Sequence, residues 1–111
     1  MQHQDLLAGF VRLHVLEHAA RGEVWGTWMI EELGRHGYQL SPGTLYPLLH
    51  ALERRGYLTS RIERRGKTAR KLYRATPLGE EGLAVARRML AELWDEVGSK
   101  GGVVSAPPPD H

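Results

Sequence analysis

Apolar residues recur at helical spacing in four stretches of this chain. Between the third and fourth stretches lie β-favouring residues set among arginines. Leu6, Phe10, Leu13 and Leu16, with Leu7 and Val11 beside them, predict a first helix over residues 5–20, stopped by Arg21-Gly22-Glu23. A second helix is expected over 27–36, with Trp28, Ile30 and Leu33 inward and Gly37 just past its end. The third stretch has a clear start, because Ser41 can cap it and Pro42 suits the first helical position. Leu45, Leu48, Leu49 and Leu52 then form one stripe, and Gly56 closes the helix. Pro47 removes a hydrogen bond inside it, so either the helix bends there or it begins later, with Thr44 as cap.

Residues 58–62 and 72–73 favour strands, and a turn at Gly66-Lys67 would join them as a hairpin. Thr76-Pro77 repeats the capped helix start, with Glu80 and Glu81 placed well for the helix dipole. The fourth helix is expected to reach about Val97. Leu83, Ala86, Leu90, Leu93 and Val97 follow a 3-4-3-4 spacing along it, the seam of a helix that packs along another helix. The order of helix, helix, helix, hairpin, long helix describes a mainly α fold with a small β-hairpin. It is a winged helix-turn-helix followed by a C-terminal dimerisation helix. The winged-helix domain is placed at residues 5–75, the dimerisation helix at 76–98, and a disordered tail rich in glycine and proline at 99–111.

The 111 residues fit one domain with a small core. The net charge of +2 is modest, but its distribution is not: nine of the fifteen cations lie between Arg54 and Arg74, where Glu63 is the only acid. A field so lopsided around a helix and a ribbon points to double-stranded DNA. With the leucines inward, Tyr46, His50 and Arg54 form an outward line on the third helix, beside Ser41, Thr44 and Pro47 at its start. Such a helix fits the major groove. Arg64, Arg65, Lys67, Arg70 and Lys71 surround the ribbon tip and would position the protein on phosphates. Tyr46 has a competing place, partly buried against the hairpin.

Other classes are disfavoured. The chain has no cysteine, which excludes disulfides and thiolate metal sites and suits a reducing cytoplasm. No basic region leads into an apolar stretch at Met1–Asp5, so no signal peptide is expected, and no apolar run approaches the roughly 20 residues that cross a membrane. No phosphate loop, H-E-x-x-H or nucleophile motif is present, so no enzyme and no cofactor are expected. The alternative is a winged-helix adaptor that binds protein and not DNA.

Three segments resemble the PadR family of bacterial transcriptional regulators, in its short branch. They are Trp25-Gly-Thr-Trp-Met-Ile-Glu-Glu-Leu33, Gly43-Thr-Leu-Tyr-Pro-Leu-Leu-His-Ala-Leu-Glu-Arg-Arg-Gly-Tyr-Leu58 and Arg70-Lys-Leu-Tyr-Arg-Ala-Thr-Pro-Leu-Gly79. The resemblance implies a homodimeric repressor that reads a near-palindromic operator and dimerises through its last helix, often with help from the first. Leu83, Ala86, Leu90, Leu93, Trp94 and Val97 would then form the dimer interface. The family also includes regulators released by phenolic acids, flat hydrophobic drugs or metals. An aromatic effector would sit near Leu90, which aligns with the drug-binding tryptophan of such members, and near Trp94 one turn later. A metal effector would look to His14 and His18, at i and i+4 on the first helix, with a third ligand supplied by the partner subunit. The bland reading leaves these histidines as ordinary polar positions, and no metal is assigned.

Overall fold

A computed structural model describes residues 3–99. Its elements are α1 (Gln4–Arg21), α2 (Gly26–Arg35), α3 (Pro42–Arg54), β1 (Leu58–Arg65), β2 (Thr68–Ala75) and α4 (Pro77–Leu93), with a wide π-type turn at Trp94–Ser99. The expected order is therefore the observed one. The tail predicted beyond Ser99 lies outside the described residues.

The helix boundaries follow from local chemistry. Gly37 (φ 93°) and Gly56 (φ 87°) take the left-handed conformation just past α2 and α3. The amides of Tyr38 and Tyr57 then return to the carbonyls of Leu33 and Leu52. α3 takes the earlier of its two starts, with Pro47 inside it and Ser41 as its boundary residue. Ser41 caps through its backbone only. Its carbonyl accepts from Thr44 and Leu45, while its hydroxyl lies 3.4 Å from Thr44 Oγ1 and meets no helix amide. Thr76 is a full cap for α4, accepting from the Gly79 amide at 3.0 Å.

The hairpin is longer than the sequence suggested, because eight residues pair on each side, from Leu58↔Ala75 to Arg65↔Thr68. That register leaves a two-residue turn. Gly66 has a φ of 59° and Lys67 stays out of the positive region, as in a type II′ turn with glycine first. A further pairing was not foreseen: Val24, in the link from α1 to α2, exchanges both backbone hydrogen bonds with Tyr73. This short third rung fixes the wing to the helical body.

One core joins every element. Val11, Val15, Leu16 and Ala19 of α1 meet Met29 and Leu33 of α2, Leu45, Leu49 and Leu52 of α3, Leu58 and Tyr73 of the hairpin, and Leu83 of α4. In α2 the expectation needs correcting. Leu33 is buried, but Trp28 and Ile30 are only half-buried and Met29 holds the centre. The reason is register: Gly26, Met29 and Leu33 share the face turned to α3, which leaves Trp28 beside His18 on the flank. Of the residues that gave α1 its spacing, Val11 and Leu16 are buried, with Val15 and Ala19 beside them, while Leu6 and Phe10 stay exposed.

Candidate nucleic-acid interface

α3 presents Pro47, His50 and Arg54 to solvent, with its leucines beneath them. Of the two places open to Tyr46, the outward line and partial burial against the hairpin, it takes the second, half-buried beside Ala69, Arg70 and Lys71. Its ring lies over the backbone of Gly26, so closely that a Cβ there would stand 2.3 Å from the Tyr46 hydroxyl and 2.5 Å from the ring. Gly26 is therefore the residue that lets α2 and α3 approach at this point. Thr44 and Pro47 border a groove facing α1 at Ala8 and Arg12. His50 and Arg54 line a shallow hollow with Glu53 and Lys71.

The wing cations fall into two groups. Arg61 grips Glu23 with two hydrogen bonds of 2.6 and 2.8 Å. Arg70 donates to Glu63 at 3.1 Å and lies 3.9 Å above the Trp25 ring. Lys71 is 3.5 Å from Glu53, whose other oxygen accepts from Ser60. Arg65 is 3.4 Å from Glu63. By contrast, Arg54, Arg55, Arg64, Lys67 and Arg74 have no ion pair among the described residues. The Arg70 and Arg61 hydrogen bonds hold Glu63 and Glu23 below the usual carboxylate pKa, so both stay ionised and cancel part of the local charge. What remains unpaired among the described residues is Arg54 and Arg55 at the end of α3, Arg64 and Lys67 at the hairpin tip, and Arg74 at its base.

A second contributor escaped the sequence reading. Trp25, Gly26 and Thr27, at the start of α2, line a hollow with Tyr46, Ala69, Arg70 and Lys71. Trp25 is the boundary residue there and supplies no side-chain cap. The start of α2 thus borders a hollow that Arg70 and Lys71 make basic. The signal available in the sequence was the small Gly26-Thr27 step before Trp28, which was read only as a helix start.

On the opposite side the chemistry is apolar. α1 and α4 meet along Leu83, and Glu17 pairs with Arg87 across the contact. Phe10, Leu13 and Leu90 line an open groove above it. Leu83, predicted to face a partner, is instead buried in the chain's own core. Ala86 is half-buried, while Leu90, Leu93, Trp94 and Val97 are exposed, Trp94 to 69%. The Trp94 ring folds back over Gly98.

The match to the transcriptional regulator PadR-like family spans residues 15–85, which holds α2, α3, the wing, the end of α1 and the start of α4. The chain belongs to the PadR family of transcriptional regulators. It is 55% identical over 87 residues to the transcriptional regulator Rv3488 of Mycobacterium tuberculosis, covering 78% of this chain and 81% of that protein. Among solved structures it is similar to a PadR family transcriptional regulator from Eggerthella lenta, with a TM-score of 0.76 and 33% identity over 85% of this chain and 83% of that one. A Streptococcus transcriptional regulator matches with a TM-score of 0.75 and 26% identity, over 84% and 93% of the two chains. PadR proteins are transcriptional regulators and not enzymes. No helix among the described residues is long and apolar enough to cross a membrane.

In this PadR chain the histidines of α1 are not isolated. His14 and His18 share one face, as their spacing predicted, and His36 at the end of α2 reaches them. Burial holds the pKa of His14 below the ordinary histidine value, helped by His36 and His18 nearby, and burial lowers His18 as well.

Proposed function

We propose that this regulator is a homodimeric, sequence-specific DNA-binding repressor, working in the cytoplasm and released by an effector. The observation that carries the reading is the set of exposed cations without an ion pair among the described residues, Arg54 and Arg55 at the end of α3 and Arg64 and Lys67 at the hairpin tip, with the exposed His50 on α3. α3 enters the major groove, where His50 donates to a base acceptor and Arg54 meets backbone. Ser41, Thr44 and Pro47 lie at the leading end of that helix. Tyr46 contributes at its edge and also holds α3 against α2. The wing tip rests on phosphates through Arg64, Lys67 and Arg65, while Arg70, Lys71 and the start of α2 line the hollow behind.

Dimerisation uses the exposed apolar run of residues 76–98. Leu90, Leu93, Trp94 and Val97 find their cover in a second copy, joined by Leu6 and Phe10 of α1. Two such subunits meet half-sites on the order of 10 base pairs apart. An aromatic effector would enter beside Leu90 and Trp94, at the centre of the dimer. By binding one tilt of the two recognition helices better than the other, it would release the operator.

Selection from a random duplex pool, followed by affinity measurements across salt, tests the reading. A palindromic winner whose affinity falls steeply with salt is expected. Failure to enrich any sequence, with the dimer intact, would favour a protein-binding adaptor.

A further inference from the structure

We propose that His14, His18 and His36 form a binding site for a divalent transition ion of the zinc class, one per chain, with Glu32 as the fourth ligand. The proposal goes beyond the aromatic effector reading above, and the site itself does not depend on DNA binding.

Three of the chain's six histidines meet here, two from α1 and one from the end of α2, the next helix along the chain. One coordinating nitrogen from each lies within 4.8 Å of the others. Around a tetrahedral zinc ion, with bonds of about 2.0–2.1 Å, ligand atoms stand roughly 3.3 Å apart. The gap left to close is thus about 1.5 Å at most. His36 can close it, since it sits at the exposed end of α2, where its side chain is free to turn.

Glu32 supplies the independent observation. A single oxygen, Oε2, stands 3.5 Å from His18 Nε2 and 3.4 Å from His36 Nε2. Those are the edge lengths of a tetrahedron around one ion. The other oxygen, Oε1, is held at 3.0 Å by Arg35, which orients the carboxylate from outside as an outer-shell partner does. His14 has no hydrogen-bond partner among the described residues; its ring packs against those of His36 and Tyr38, with centroids 4.9 and 5.2 Å away. A simple ion pair between Glu32 and its neighbours gives His14 nothing to do, whereas a metal centre uses all four groups. Imidazole and carboxylate without thiolate suit zinc, cobalt and nickel better than soft thiophilic ions. A bound ion would pin α1, which borders the α4 groove, to α2, which carries Gly26 and the seat of Tyr46.

The test uses the untagged full-length chain, stripped with a chelator and titrated with Co2+ alone, followed by displacement with Zn2+. The expected result is the visible absorption of tetrahedral cobalt, saturating at one equivalent per chain and abolished by zinc. His36→Ala and His14→Ala should each weaken binding by at least about tenfold, and Glu32→Gln should weaken it and change the spectrum. His3→Ala should leave both untouched. Trp28, whose ring lies 5.3 Å from that of His18, gives a second readout by fluorescence quenching. Absence of the cobalt band, or binding that survives both histidine substitutions in a chain with unchanged circular dichroism, would overturn the assignment. Operator affinity is measured separately, so loss of DNA binding and loss of metal binding cannot be confused.

Discussion

α3 and α4 begin from almost the same pattern and end in opposite environments. Each starts at a proline behind a Ser or Thr boundary residue, and each carries leucines at three- and four-residue steps. In α3 the stripe is absorbed within the chain: none of Leu45, Leu49 and Leu52 exceeds 5% exposure. In α4 only Leu83 is absorbed, and Leu90, Leu93 and Val97 stay 36–57% exposed. Periodicity says that a face will be covered; it does not say by what. α3 lies across the middle of the domain, with α1, α2 and β1 around it. Towards the end of α4, no element among the described residues covers Leu93, Trp94 or Val97.

Truncation of each stripe should break the comparison most sharply. Leu49→Ala removes a buried side chain with no room to relax, so unfolding in denaturant should show a loss of about 2–5 kcal/mol. Leu93→Glu should leave the fold of the subunit intact by circular dichroism. Sedimentation should then shift from dimer to monomer, and operator affinity should fall with it. A Leu93→Glu protein that remains dimeric would place the partner surface elsewhere, and α4 would need another cover.

The DNA face allows a finer division. Arg64 has no acidic partner among the described residues, while Lys71 is already paired with Glu53. Arg64→Ala should lower operator affinity and reduce the salt slope by about 0.9, the share of one phosphate contact. Lys71→Ala should change the slope less, because Glu53 already neutralises part of that charge. Equal slopes for the two variants would mean that the Glu53 pair opens on DNA.

Much of this was legible beforehand, for identifiable reasons. The Thr76 cap, the proline starts of α3 and α4, the glycines after α2 and α3, the Gly66-Lys67 turn and the cation cluster all depend on local residue chemistry, which a sequence states directly; Ser41 marks its helix start but makes no side-chain cap. The misplaced features depend on which side of an element finds a neighbour. Met29 rather than Trp28 is central because Gly26 sets how α2 lies on α3. Tyr46 turns inward because Gly26 leaves it a seat. Val24 pairs with Tyr73 through backbone atoms alone, which no side-chain pattern announces. His36 joins His14 and His18 only once α2 has folded back along α1; the sequence pointed to the i, i+4 pair and looked to a partner subunit for the third ligand.

The Gly26 seat can be probed directly. Gly26→Ala would drive a methyl group into the Tyr46 ring, and overpacking of this kind costs about 1–3 kcal/mol. If the ring swings out to escape, stability recovers and the exposed line on α3 changes shape, so operator selectivity should shift while dimerisation holds. Gly26→Ala with Tyr46→Ala should regain stability relative to the single glycine variant, because the clash partner is gone.

The smallest effect is expected where the two contrasted helices are joined. The Thr76 hydroxyl donates to the Gly56 carbonyl at the end of α3 and accepts from the Gly79 amide at the start of α4. One oxygen thus ties the DNA-facing half of the molecule to the helix proposed for dimerisation. Gly79 reinforces the joint, since a Cβ there would stand 2.2 Å from the Tyr57 carbonyl oxygen. Thr76→Ala should cost about 1 kcal/mol through the lost cap. Thr76→Ser keeps the oxygen and should recover most of it. If the joint also sets the angle between α3 and α4, Thr76→Ala will weaken operator binding by more than its stability loss explains, at protein concentrations where the dimer is saturated. A loss confined to stability would mean that the angle is held by Leu83 and the α1 contact, with Thr76 acting as a helix cap alone.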